Sequence, residues 1–298
     1  MRALTTVDLV DIWEQGWACH SAERALLLLG RTLPYTSTEE LEAMPLGVRD
    51  DQLLQLRQRL FGGTLESIVR CPCCGESLEI KVDAHDLQAD LKVSTTTEAD
   101  ITTTEADSTT TEADSTTTEA DNTTTEADST TIGDADTRSA DLHVGPRESS
   151  GMEWTAGELS VRFRVPTSRD FLDLETSNDP DDVRRRLIER CVLEAHRGTE
   201  RIQPLELIEE ETVALGEQIA QADPHGELTL HAECPSCGHR WESLLDIASF
   251  LWQEIDIHVR RLLSEVHTLA SAYSWSERDI LSMSALRRQM YLEELLAR

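Results

Sequence analysis

Two short stretches far apart in the chain carry the same pattern: "RCPCCGESLEI" from Arg70 to Ile80 and "ECPSCGHRWES" from Glu233 to Ser243. Each holds two cysteines separated by two residues, with proline after the first and glycine after the second. Thiolates grip a zinc ion tetrahedrally at about 2.3 Å, so a chain that supplies two of them must bend tightly between them. Glycine after the second cysteine accepts the positive φ that such a bend requires. Strand-like residues flank both stretches, at 65–70 and 77–82 for the first and at 227–233 before the second. Two such knuckles, each at the tip of a hairpin, make a four-cysteine zinc ribbon. The expected ligands of one structural Zn2+ are Cys71, Cys74, Cys234 and Cys237, with Cys73 a bystander.

The two halves of this site are separated by 159 residues. Ribbons tolerate such insertions because loop-closure cost grows only logarithmically with length. Two alternatives stand beside the shared ion. A redox pair is disfavoured, because redox C-x-x-C motifs open a helix after a strand and here strands follow. Two unrelated pairs of reduced thiols are the other. The N-terminal residues "DLVDIWEQGW" do not form a basic region followed by an apolar run, so no secretion signal is read and a cytoplasmic location is expected. Seven cysteines in such a chain point to metal before disulfides. An ion with four protein ligands has no open position and does no chemistry; it contributes folding free energy.

The net charge of −30 argues against nucleic acid as a partner, since affinity for phosphate backbones comes from Lys and Arg. No run of about 18 apolar residues is present, so no membrane insertion is expected. Residues 94–131 repeat the heptad "STTTEAD" five times with changes at its first position. Only Ile101 supplies a large apolar residue, which excludes a coiled coil. Such a segment cannot bury enough apolar surface to offset its chain entropy and is expected to be disordered, as part of an insert over 84–150.

Outside the insert the expected fold class is α+β, mostly helical, with a small zinc-ribbon β centre formed by the two knuckles. Residues 1–62 form an N-terminal helical region: one helix over 5–30 capped by Thr5 or Thr6, a short helix at 38–43, and a helix over 50–62 stopped by Gly62 and Gly63. The first ribbon hairpin spans 63–83. Residues 151–226 combine a strand and helices. Leu159, Val161, Phe163 and Val165 alternate along the strand, and Pro166 ends it. A helix opens at "TSRD". Another starts at Pro180, with Val183, Leu187, Cys191 and Ala195 along its inner face, and a third runs over "ETVALGEQIAQAD". The second hairpin spans 227–244. In the C-terminal region, 245–298, residues Leu251, Ile255, Val259, Leu262, Val266, Leu269 and Tyr273 mark one long amphipathic helix, followed by helices capped by Ser276 and Ser284.

No nucleophile elbow, phosphate-binding glycine loop or H-E-x-x-H is present, so no catalytic residue is assigned. His239 follows the second knuckle, but four cysteines already complete the site. His258 and His267 lack the spacing of a metal pair. Cys19 and Cys191 are expected on apolar helix faces as inert buried thiols. Glu209–Glu211 read as a solvated helix start, and Arg184–Arg186 and Arg260–Arg261 as exposed faces. Trp13, Trp17, Trp252 and Trp275 are expected to pack beside apolar stripes.

Four stretches together carry a family resemblance: "DIWEQGWACHSAERALLLL", "VRFRVPTSRDFLDL", the two C-P-x-C-G knuckles, and "EIDIHVRRLLSEVHTLASAYSWSERDILSMSALRRQMYLEEL". The chain resembles small proteins encoded with contractile phage-tail-like injection systems, a family similar to the T-even phage baseplate hub assembly chaperones. The most specific part is "EVHTLASAYSWSERDIL…RR…YL". The resemblance covers nearly everything except about 84–150; the threonine-rich repeat departs from the family as an insertion. It implies a non-enzymatic role in building the hub of a contractile particle, with hub or spike subunits as partners.

Deleting 94–131 is expected to leave the fold, read as the helical circular-dichroism signal per molecule, and the zinc content intact. Loss of either would show that the repeat belongs to the folded body.

Overall fold

The structure is a computed structural model that describes residues 1–89, 151–172, 174 and 179–297. The threonine-rich repeat and its expected disorder lie outside the described residues. The first six residues of the range expected for the insert form a helix, α5 (Ala84–Ala89), because Ala84 and Leu87 reach the main core.

That core is helical and draws on both ends of the chain. The long C-terminal helix α9 (Ile247–Tyr273) is 27 residues, about 40 Å at 1.5 Å per residue. Leu251, Ile255, Val259, Leu262, Val266 and Leu269 are buried along one face. Against it lie α1 (Thr6–Gly16), α2 (Ser21–Thr32) and α4 (Leu46–Phe61), which bury Ile12, Leu28, Leu29, Leu53, Leu54 and Leu56 in the same cluster. Each such aliphatic side chain contributes about 1.5–3 kcal/mol on burial. An ion pair joins α4 to α9 across this interface. The buried Arg57 of α4 donates from Nε and Nη2 to the two carboxylate oxygens of Glu254 at 2.9 and 2.7 Å, and from Nη1 to the Gly62 carbonyl at 2.8 Å. The fork geometry satisfies a guanidinium whose side chain is only 3 % exposed.

The expected single helix over 5–30 is two helices joined by residues 17–20. Helix α1 ends at Gly16, a weak helix former, and the position must be glycine because a Cβ there would stand 2.3 Å from the Trp252 ring. Arg24 then caps the end of α1, donating to the Gly16 and Trp17 carbonyls at 3.0 and 3.1 Å. The Glu23 carboxylate accepts the His20 N–H at 3.0 Å and opens α2. Thr5 caps α1, its hydroxyl accepting the Asp8 N–H. Helix α4 starts at Leu46, four residues before the expected position, because Pro45 sets its N-terminus. The short α3 (Thr38–Glu42) lies where the sequence places it.

The sheet content is larger than the two hairpins. Strands β3 (Met152–Ala156), β4 (Leu159–Phe163), β5 (Val192–Arg197) and β6 (Glu200–Ile202) form a four-stranded antiparallel sheet in that order. Leu159, Val161 and Phe163 are buried as their alternation requires; Val165 lies past the end of the strand, after a register shift at Arg162/Phe163. The helix expected to reach Ala195 is α7 (Pro180–Cys191), and the chain then turns directly into β5. Its Cys191 carbonyl accepts the Arg164 N–H at 2.9 Å, and Ala195 pairs with Val161 on one side and Ile202 on the other. Pairing along β4 thus overrides the local helical pattern. Leu215 and Ile219 of α8 (Glu209–Ala222) cover this sheet together with Ile188.

Backbone and side-chain contacts fasten the sheet to the helical core. Leu46 N donates to the Pro166 carbonyl at 3.2 Å, Gly47 N donates to the Asp223 carboxylate at 2.9 Å, and His225 Nδ1 meets Asp51 at 2.6 Å. Between β4 and β5, α6 (Ser168–Leu172) opens on Thr167, whose N–H and hydroxyl donate to Asp170. Burial raises the Asp170 carboxyl, but Arg164 and Thr167 outweigh it and hold the group below the usual carboxylate range. The chain closes with α10 (Glu277–Leu281) and α11 (Ala285–Leu296), capped by Ser276 and Ser284 as expected.

Gly16→Ala is expected to destabilise the protein by roughly 1–3 kcal/mol, the usual cost of overpacking, in denaturant titrations. An unchanged midpoint would contradict the close approach of Trp252.

Candidate metal centre

Two antiparallel hairpins carry the knuckles: β1 (Thr64–Arg70) with β2 (Ser77–Asp83), and β7 (Thr229–Glu233) with β8 (Arg240–Leu244). Their open ends root in the helical core through the buried Leu65 and the half-buried Val82, Leu228, Leu230 and Leu245. Their tips are built alike. Cys71 N donates to the Glu76 carbonyl at 2.8 Å and Gly75 N to the Cys71 carbonyl at 2.9 Å. In the second tip Cys234 N donates to the His239 carbonyl at 2.9 Å and Gly238 N to the Cys234 carbonyl at 2.8 Å. Gly75 and Gly238 take φ of +76° and +69°, the left-handed conformation expected of them.

The structure brings the four expected residues together. Cys71 Sγ lies 3.7 Å from Cys237 Sγ, and Cys74 Sγ lies 3.5 Å from Cys234 Sγ. All four sulfurs lie within 4.8 Å of one another. Four sulfurs placed tetrahedrally at 2.3 Å from one ion would be separated by about 3.8 Å, so the spacing fits a shared ion. Each knuckle contributes one buried cysteine, Cys71 or Cys234, and one exposed cysteine, Cys74 or Cys237. No other group of this kind occurs among the described residues. Four thiols with no carboxylate or imidazole make a soft donor set, suited to zinc, copper(I) or an iron–sulfur cluster. A mononuclear ion held by all four would have no position left for substrate.

The electrostatics of the thiols also reflect their crowding. Burial pushes the Cys71 thiol up, but the backbone N–H groups of Cys74 and Cys73 outweigh it and bring it down to about 7. The Glu76 N–H lowers Cys74, yet the neighbouring Cys234 and desolvation leave it raised. The His239 N–H lowers Cys237, while desolvation and the three other thiols push it up strongly. Four thiolates cannot share this space without a cation between them.

Other expected residues fall outside the centre. Cys73 is an exposed bystander. His239 contributes its backbone carbonyl and N–H to the knuckle but not its ring, which stacks on Trp241 with centroids 6.0 Å apart. Cys191 is buried as expected, and burial pushes its thiol up to about 12. Cys19 is a correction: it is half-buried in the link between α1 and α2, where its Sγ lies 3.4 Å from the Gln15 carbonyl, and not on a helix face. Arg184, Arg185 and Arg186 are spread over surface pairs with Glu209 and Asp182.

Serine at Cys71, Cys74, Cys234 or Cys237 is expected to abolish stoichiometric metal binding and lower thermal stability, whereas Cys73→Ser leaves both unchanged. Elemental analysis with thermal denaturation checks this; metal lost on Cys73→Ser would contradict the assignment.

Residues 118–252 match the family described as T4 bacteriophage base plate protein. The matched region is less than half of the chain and includes the second knuckle but not the first. No curated protein and no solved structure matches. Among the described residues no helix is long and apolar enough to cross a membrane. The chain is thus similar, over its central part, to a phage baseplate family.

Proposed function

We propose that the protein is a non-enzymatic assembly factor for the baseplate hub of a contractile phage-tail-like injection system. It acts in the cytoplasm by binding hub or spike subunits, and its metal centre holds one structural Zn2+. The similarity to the phage baseplate family over 118–252 carries this reading. The four-sulfur donor set supports zinc in a structural role, because a closed site supplies folding free energy and offers no coordination position for a reaction. The sequence supports the absence of catalysis, having no arrangement that would activate a nucleophile or water.

A second reading is that the protein remains in the finished particle as a structural component. It is favoured by the description of the matched family, which names a base plate protein. Co-purification from cells expressing the whole gene cluster separates the two. The assembly-factor reading predicts the protein in soluble complexes with hub or spike subunits and its depletion from purified particles. Stoichiometric, symmetric copies in the particles would replace it with the structural one.

A further inference from the structure

The break between α1 and α2 builds a recess that the metal centre does not use. It measures about 410 Å3 and is lined chiefly by Trp17, Arg24, Trp252, Asp256, Ile257 and Arg260. Trp252 is buried, whereas Trp17 is 53 % and Ile257 68 % exposed. The sequence pattern leads one to expect Trp17 to pack inside; ending α1 at Gly16 leaves it at the surface instead. Its indole is held there by an edge-on contact with Trp13, at 5.0 Å between centroids.

Two guanidiniums complete the recess. Arg24 lies over the Trp252 ring at 4.6 Å, and Arg260 over Trp17 at 5.0 Å. The one carboxylate of the lining, Asp256, accepts the Trp13 Nε1–H at 2.7 Å and the Arg260 Nε–H at 2.8–3.0 Å. Arg24 is bonded to carbonyl oxygens. The lining is therefore net positive in a chain whose overall charge is −30. At physiological salt, charges beyond about 8 Å are largely screened, so these local guanidiniums decide which sign is accepted. Exposed tryptophan and arginine around a small apolar depression are the residue types that dominate binding energy at protein interfaces.

We propose that this recess docks an acidic segment of a protein partner. One large apolar side chain of the segment sits over Trp252 between Trp17 and Ile257, and flanking carboxylates face Arg24 and Arg260. The docking chemistry stands on the recess alone; only the identity of the partner as a baseplate component rests on the proposed function. A second copy of this chain is the competing occupant, and the titration below distinguishes it.

The test is a titration of the full-length protein with three blocked pentapeptides, following the tryptophan indole N–H resonances by NMR. The first has one phenylalanine between pairs of glutamates. The second has lysines in place of the glutamates, and the third alanine in place of phenylalanine. The proposal predicts saturable shifts of Trp17 and Trp252 with the first peptide and binding weaker by about tenfold or more with the other two. Trp17→Ala and Arg260→Gln each reduce affinity for the first peptide by a similar factor; circular dichroism and metal content show that both variants remain folded. No saturable shift, equal binding of the lysine peptide, or indifference to both substitutions overturns it. So do indole shifts that depend on protein concentration without peptide, which would assign the recess to a second copy. Because no particle is involved, failure here is distinguishable from failure of the assembly role.

Discussion

The meeting of four sulfurs from two remote segments is the constraint on which the architecture depends. Neither knuckle alone offers an ion more than half of its ligands, so binding requires both hairpins to be in place. The binding free energy of a structural ion is then folding free energy, on the order of 10 kcal/mol in small zinc peptides. The hairpins need such support. A two-stranded hairpin is marginal in water, and each of these exposes every second residue along its strands. Their roots are held by apolar packing on the helical core and their tips by sulfur.

The same logic of joining distant segments runs through the helical body. Helix α9 packs on α1, α2 and α4 from the N-terminal part of the chain as well as on α10 and α11, and the Arg57–Glu254 fork repeats the N-terminal connection with charge. Core and, once an ion is bound, the four-sulfur cluster would therefore act in parallel: each brings 1–89 to 227–297, and either one would shorten the search for the other. This explains how a long segment can stand between the two knuckles without separating them. Doubling a loop costs only about 0.6 kcal/mol, far less than either connection supplies.

The parts legible in the sequence are those whose cause is local. The knuckles could be read because proline, cysteine and glycine at fixed offsets dictate a turn and a donor set together. Helix α9 was legible from its apolar spacing, and Ser276 and Ser284 as caps because a side-chain oxygen before a helix has one obvious use. What was not legible has a distant cause. Gly16 is a weak stop signal in an otherwise helical stretch, and what demands glycine there is the distant Trp252 ring of α9. Likewise Val192–Arg197 follows a helical pattern without interruption and becomes a strand only because β4 offers an edge. Strands β3 and β6 are short and lack strong alternation. The exposure of Trp17 follows from the missed break.

The most direct measurement is X-ray absorption at the metal edge of the purified, folded protein. The account predicts one zinc per chain with four sulfur neighbours at about 2.3 Å and no nitrogen or oxygen in the first coordination shell. A folded protein without metal, or one whose ion has two sulfurs and lighter ligands, would contradict it.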